Sequence, residues 1–180
     1  MKVIEIKRYA FEELSPEAQA KAIEGARERE YRNDLASQFL TEEMPFEVER
    51  KLGLTLPADF NIFWSLSYGQ GDGVSFQGTL TRESAPELNW PANAYRLDIK
   101  HTSNHYCHAY TFDVIVTDEE GEEIEDTGLL EQFRELSKHL ERFGYKWLED
   151  YYSDQNMRAL LEDTGDVFTS AGKYDDPARE

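Results

Sequence analysis

The sequence predicts an α+β domain: an antiparallel sheet of about four to five strands with helices before it and after it. Three observations carry this. Residues 15–52 hold apolar residues at helical spacing behind a strong start signal. Residues 58–117 switch to alternation rich in aromatic and β-branched residues. From Leu129 the spacing returns to three and four. The chain has 180 residues and no Pro/Ser/Gly-rich linker, so one domain spanning 1–180 is expected, with N-terminal helices over 15–52, the sheet over 58–117 and C-terminal helices over 127–163.

Lys2 to Tyr9 alternates and reads as a short first strand, a candidate fifth member of the sheet. Leu14-Ser15-Pro16-Glu17 then starts a helix: Ser15 caps, Pro16 suits the first helical position and Glu17 faces the positive end of the dipole. Ala18, Ala22, Ile23 and Ala26 form a narrow stripe suited to lying close to a sheet. Asn33-Asp34 ends one helix or starts another. Leu35, Phe39 and Leu40 continue to Met44, where Pro45 is expected to break the pattern. Phe46, Val48 and Leu52 suggest one more short helix, closed by Gly53.

The sheet follows. Ile62, Trp64, Leu66 and Tyr68 share one face of a strand. Gln70-Gly71-Asp72-Gly73 turns the chain, and Val74, Phe76 and Leu80 return. Residues 82–94 read as a surface loop. Tyr95, Leu97 and Ile99 begin a third strand, Thr102-Ser103-Asn104 turns it, and Tyr106 to Val116 reads as a long fourth strand. Asp118 to Glu123 reads as a hairpin tip. Leu129, Phe133, Leu136, Leu140, Phe143, Trp147 and Tyr151 make the best helical stripe in the chain, with Gly144 as a kink point. A final short helix carries Met157, Leu160 and Leu161.

The net charge of −18 is uneven: residues 118–180 hold 19 acids against 7 Lys and Arg. Direct nucleic-acid binding is disfavoured, because phosphates need a basic footprint. A protein partner with a basic surface is favoured. Cys107 is the single cysteine, which suits a reducing compartment. Met1-Lys2-Val3-Ile4-Glu5 lacks the apolar core of a signal peptide, and no run approaches the ~20 apolar residues that span a bilayer. A cytoplasmic protein with no membrane partner is expected.

Three segments taken together carry a resemblance: Tyr9-Ala10-Phe11-Glu12-Glu13-Leu14-Ser15-Pro16-Glu17-Ala18-Gln19-Ala20-Lys21-Ala22-Ile23, then Ser67-Tyr68-Gly69-Gln70-Gly71-Asp72-Gly73-Val74-Ser75-Phe76-Gln77-Gly78, then Phe168-Thr169-Ser170-Ala171-Gly172-Lys173. In this order and spacing the chain resembles a family of uncharacterised proteins encoded by tailed phages and prophages. That resemblance implies a phage-encoded accessory protein acting in the cytoplasm of a bacterial host. It implies no catalytic residues.

The candidate chemistry is sparse. Asp-Gly is a preferred turn pair. The same glycines also admit close approach of a ligand or partner, with Gln70, Asp72 and Ser75 as polar contacts. His101, His105, Cys107 and His108 are close in sequence, but their spacing matches no zinc motif, so neither a metal nor another cofactor is expected. A Ser75–His108–Asp72 triad can be drawn and lacks any nucleophile elbow. Asp118 to Asp126 holds seven acids and no base. It fails as a calcium loop and reads as either a solvated turn or the start of an acidic ridge running on through Glu131, Glu135, Glu141, Glu149 and Asp150.

The leading expectation is a non-enzymatic binding protein that presents Gln70, Asp72, Asp118, Glu119, Glu120, Glu122, Glu123, Glu125 and Asp126 to a basic host protein, as an acidic, DNA-mimicking inhibitor of a defence or nucleic-acid-binding complex of the CRISPR or restriction kind. The alternatives are a small nucleotide hydrolase using Asp72 with His105 or His108, and a scaffolding protein. A monomer and a homodimer through the sheet edge both fit.

Overall fold

The computed structural model describes residues 7–126 and 128–175. It is an α+β fold with an antiparallel sheet and helices at both ends. The elements are α1 (Pro16–Asn33), α2 (Leu35–Leu52), β1 (Asn61–Ser65), β2 (Gly73–Thr81), β3 (Arg96–His101), β4 (Phe112–Thr117), β5 (Glu123–Ile124), α3 (Leu129–Tyr151) and α4 (Asp154–Thr164). They fall into two compact units. One comprises the chain up to Phe39 and from Trp147 onward; the other is Leu40–Lys146.

The second unit holds the sheet, a meander in the order β1-β2-β3-β4-β5. Ile62 pairs with Phe76 and Trp64 with Val74. Leu80 pairs with Leu97, and Leu97 with Val116. Val74, Phe76, Leu80, Leu97 and Val116 are buried, and α3 covers them with Phe133, whose ring meets that of Phe76 edge-on at 5.7 Å. Ser137 is fully buried in the middle of this contact and donates from Oγ to the Val74 carbonyl at 2.5 Å. Ser137→Ala leaves that acceptor short of a donor, offset partly by the better helix propensity of alanine. A net loss of about 1 kcal/mol is expected in urea unfolding.

The fifth strand is β5, which pairs with β4 through Val116–Ile124 and Thr117–Glu123. The Lys2–Tyr9 strand lies largely outside the described residues; its described end, Tyr9, bridges Phe168 and not the sheet. The expected fourth strand is shorter than the alternation suggests. Only Phe112–Thr117 is strand, and residues 102–111 form a loop. Ser103 Oγ accepts the amide protons of His105 and Tyr106 (3.2 and 3.0 Å), turning the backbone before a ladder can form.

Pro45 does not break its helix; α2 runs unbroken through it. Leu40, Met44, Val48 and Leu52 recur every fourth residue across the proline and are all buried. Burying four such side chains is worth roughly 1.5–3 kcal/mol each, more than the ~3 kcal/mol that an interior proline costs. Gly144 does not interrupt α3 either. A Cβ there would stand 2.3 Å from Leu66 Cδ1 and 2.9 Å from Met44 Cε, so its role is close packing.

The first unit has its own core. Ala18, Ala22, Ile23 and Ala26 of α1 pack with Met157 and Leu161 of α4 and with Phe11, Leu14 and Phe168. The small-residue stripe therefore admits a neighbouring helix, where a sheet was expected. Ser15 caps α1 by accepting from Ala18 N–H, and Ser153 caps α4 by accepting from Asn156 N–H. Asp34, in the left-handed conformation at φ +54°, separates α1 from α2. Glu30 is buried beside α4's entry and accepts from Tyr151 Oη at 2.9 Å. Burial, with this bond to a carboxylate, pushes the Tyr151 phenol well above its ordinary range.

Candidate functional site: the aromatic elbow

The turn between β1 and β2 is wider than a two-residue hairpin. Ser65 pairs with Gly73, leaving residues 66–72 as the loop. The tight reversal inside it is Gly69–Asp72, with Asp72 N–H donating to Gly69 C=O at 3.4 Å. Asp72 holds the whole loop. Its Oδ2 accepts from Ser67 N–H (2.6 Å), Gly69 N–H (2.7 Å) and Tyr145 Oη (3.0 Å). Its Oδ1 accepts from Ser65 Oγ at 2.8 Å and from Ser67 Oγ at 3.2 Å. Burial pushes the Asp72 carboxyl up, but the donors from Gly69, Ser65, Ser67 and Tyr145 outweigh it and hold the group below its ordinary value.

The glycines of the elbow are occupied by the protein's own loop 102–111. Cys107 N–H donates to Gly71 C=O at 3.1 Å. The Tyr106 ring packs close against Gly71, where a Cβ would stand 2.1 Å from Tyr106 Cδ1 and φ is +91°. At Gly73 a Cβ would meet the Cys107 carbonyl oxygen at 2.9 Å. The close approach that these glycines permit is thus made by a neighbouring segment.

Four tyrosines gather here. Tyr68 is 75 % exposed, Tyr110 66 % and Tyr106 50 %. Tyr68 sits at φ +58°, stacked on Tyr145 with ring centres 4.4 Å apart, and its amide donates to Tyr145 Oη at 3.2 Å. Tyr110 lies under the Arg134 guanidinium at 5.2 Å. Together Gln70, Gly71, Asp72, Tyr106, His108, Tyr110, Lys138 and Glu141 line a shallow depression of about 370 Å³.

Asp72 and His108 therefore share one depression, and His105 is exposed and not among its lining residues. His108 Nδ1 accepts from Tyr110 N–H at 3.1 Å. Ser75 meets His101 and not His108: its Oγ lies 2.6 Å from His101 Nδ1, and the serine is fully buried. His101 also stacks on Phe63 at 4.7 Å. Burial, then the charge of Asp72, raises the Cys107 thiol. Among the described residues no three His, Cys, Asp or Glu side chains gather as a metal-holding group.

The acidic segment lies elsewhere. In the meander, the β1–β2 elbow and loop 102–111 are at one end of the strands and the β4–β5 turn is at the other. The six residues of β4 put roughly 20 Å between them. Gln70 and Asp72 thus cannot join the 118–126 acids in one compact contact. Asp118 Oδ1 accepts from Glu122 N–H at 2.8 Å and closes the hairpin. Asp126 caps α3, accepting from the Leu129 and Leu130 amides at 2.7 and 2.9 Å. Glu119, Glu120, Glu122, Glu123 and Glu125 are exposed. Along α3 the acidic ridge is interrupted. Glu131 pairs with Arg134 and Lys138, and Glu135 with Lys138 at 2.6 Å. Glu149 and Asp150 belong to the first unit.

The tyrosines are what the sequence reading missed as site residues. Tyr106 and Tyr110 alternate like strand residues, and Tyr145 falls off the α3 core stripe. Tyr68, next to the Gly-Gln-Gly-Asp turn, was the available signal; Tyr106, Tyr110 and Tyr145 lie far along the chain and gave none.

The chain matches no protein-family model, no curated protein and no solved structure. No helix among the described residues is long and apolar enough to cross a membrane.

Proposed function

We propose that this protein acts by binding another protein through the aromatic elbow, without catalysing a reaction. The observation that carries this reading is the set of exposed but immobilised tyrosines. Tyr106 is pressed on Gly71, Tyr68 on Tyr145, and Tyr110 lies under Arg134. Tyrosine offers a large contact area with a polar tip. Rings already held in place lose little entropy on docking, which is how contact hot spots are built. The net charge of −18 favours a basic partner and speeds encounter. The glutamates of residues 119–125 are the densest exposed source of that field. The resemblance to phage and prophage proteins implies a bacterial host as the setting, and the acidic charge supports a defence or nucleic-acid-binding complex of the CRISPR or restriction kind as the partner. In that setting the protein inhibits by occupying a surface made for an anionic polymer.

Tyr106→Ala and Tyr110→Ala are each expected to weaken partner capture by about thirtyfold, or ~2 kcal/mol. Gly71→Ala, which displaces the Tyr106 ring without removing a polar group, has the same direction. Lysines in place of Glu119, Glu120, Glu122 and Glu123 slow association at low salt and change little at high salt. Surface plasmon resonance on the captured partner measures all four. Unaltered affinity in both tyrosine variants rejects the reading.

The shared depression favours one second reading, a hydrolase acting on nucleotides with His108 as its base. Asp72 is poorly suited to that role, since five protein groups already donate to it. Release of phosphate from nucleoside triphosphates, abolished in His108→Ala, is the result that supports this reading.

A further inference from the structure

The first unit carries a groove of about 850 Å³ between one face of α1 and the segment that follows α4. In a chain with 19 Lys and Arg against 37 acids, four of those cations line this one groove: Lys21, Arg29, Arg32 and Lys173. Among the described residues the single acid in its lining is Asp175, and Arg8 Nε already donates to it at 2.7 Å. Arg29 uses one nitrogen on Asp166 at 2.8 Å and lies over the Tyr174 ring at 4.6 Å. Arg32 Nε donates to the Glu28 carbonyl at 3.2 Å, its Nη2 stands 3.8 Å from the Glu28 carboxylate, and the side chain remains largely exposed. Lys21 and Lys173 make no ion pair among the described residues. The floor is open above Gly25, where a Cβ would meet nothing within 4 Å.

We propose that this groove binds a phosphorylated small molecule. Lysine ammonium groups and arginine forks are the side chains suited to phosphate oxygens. The volume lies within the range of sites for organic ligands and far exceeds that of a bare phosphate, so the ligand carries an organic body. The acidity of the rest of the chain does not cancel the site. At physiological ionic strength the screening length is about 8 Å, so distant acids are screened, and the near ones, Asp175, Asp166 and Glu28, are paired with Arg8, Arg29 and Arg32. The groove is independent of the aromatic elbow, since all its lining residues belong to the other unit.

The test is titration calorimetry of the full chain with ADP, fructose 1,6-bisphosphate and, as an uncharged control, adenosine. A phosphorylated probe is expected to bind and adenosine not. Lys21→Ala with Lys173→Ala is expected to weaken that binding by about tenfold or more. Gly25→Leu is expected to block it by filling the floor, with the melting temperature kept because the added side chain enters open space. Failure of both phosphorylated probes at millimolar concentration overturns the proposal. So does binding that survives unchanged in the double lysine variant and in Gly25→Leu.

Discussion

Replacing Glu47 with glutamine is expected to destabilise the sheet-bearing unit by about 3 kcal/mol at neutral pH and to flatten its acid response. Glu47 lies on α2 with its side chain only 9 % exposed. Arg50, one turn on, donates to both its oxygens at 2.6 and 2.7 Å. His139 Nε2, from α3, lies 2.5 Å from Oε1. The Arg50 hydrogen bonds, opposed by burial and joined by His139, hold the Glu47 carboxyl down at about 2 from an ordinary 4.5. The folded value lies below the unfolded one. The stabilisation is therefore complete above about pH 4.5 and drains away as pH falls towards 2. Urea midpoints from pH 7 to pH 2.5 read this directly. Wild type and Glu47→Gln should converge as the acid limit is approached. A gap between them that does not narrow below pH 4.5 contradicts the assignment.

The second large effect belongs to Asp72. Asp72→Ala removes one carboxylate and leaves Ser65, Ser67, Gly69 and Tyr145 without their shared acceptor. Hydrogen bonds to a charged group contribute roughly 1.5–3 kcal/mol each when buried, and this site is partly solvated, so a total near 3 kcal/mol is expected. For a chain of this size that is roughly 6–12 °C in melting temperature. Tyr68 sits at φ +58° between two amides, of Ser67 and Gly69, that donate to Asp72, so the variant is expected to lose its stack on Tyr145 and partner capture with it. Asp72→Asn keeps the shape but turns an acceptor into a donor facing other donors, and recovers little. The carboxyl is held below its ordinary value, so the elbow is intact above the normal carboxylate range and loosens as pH falls through the lower folded value. Tyrosine fluorescence across that range follows the loosening. A variant that melts and binds like wild type removes Asp72 from the account.

The fold was legible where burial and periodicity agree. Leu129, Phe133, Leu136 and Leu140 mark α3 because every one of them is buried. Ser15 and Pro16 mark the start of α1 because capping is a local property. Pro45 misled because its cost is local, while the burial that outweighs it is tertiary. Residues 106–111 misled for the opposite reason. Tyr106 and Tyr110 alternate with smaller residues as strand residues do, yet both face solvent and are placed by the Ser103 turn and by Gly71.

The candidate site was legible in half. The Gln70–Gly73 elbow stood out from its glycines. What those glycines accommodate, a loop thirty residues further along, has no signature in local spacing. The acidic residues were visible as a total charge, but only coordinates separate Asp118 and Asp126, which close a turn and cap a helix, from the glutamates that remain open to solvent.

The most direct test of binding through the aromatic elbow is a quantitative capture experiment from bacterial lysate, with wild type, Tyr106→Ala and the 119–123 lysine variant as parallel baits at low and high salt. One basic protein should be enriched by wild type at both salts. It should be depleted at both salts by Tyr106→Ala, and only at low salt by the lysine variant. Equal enrichment on wild type and Tyr106→Ala baits would contradict the central claim.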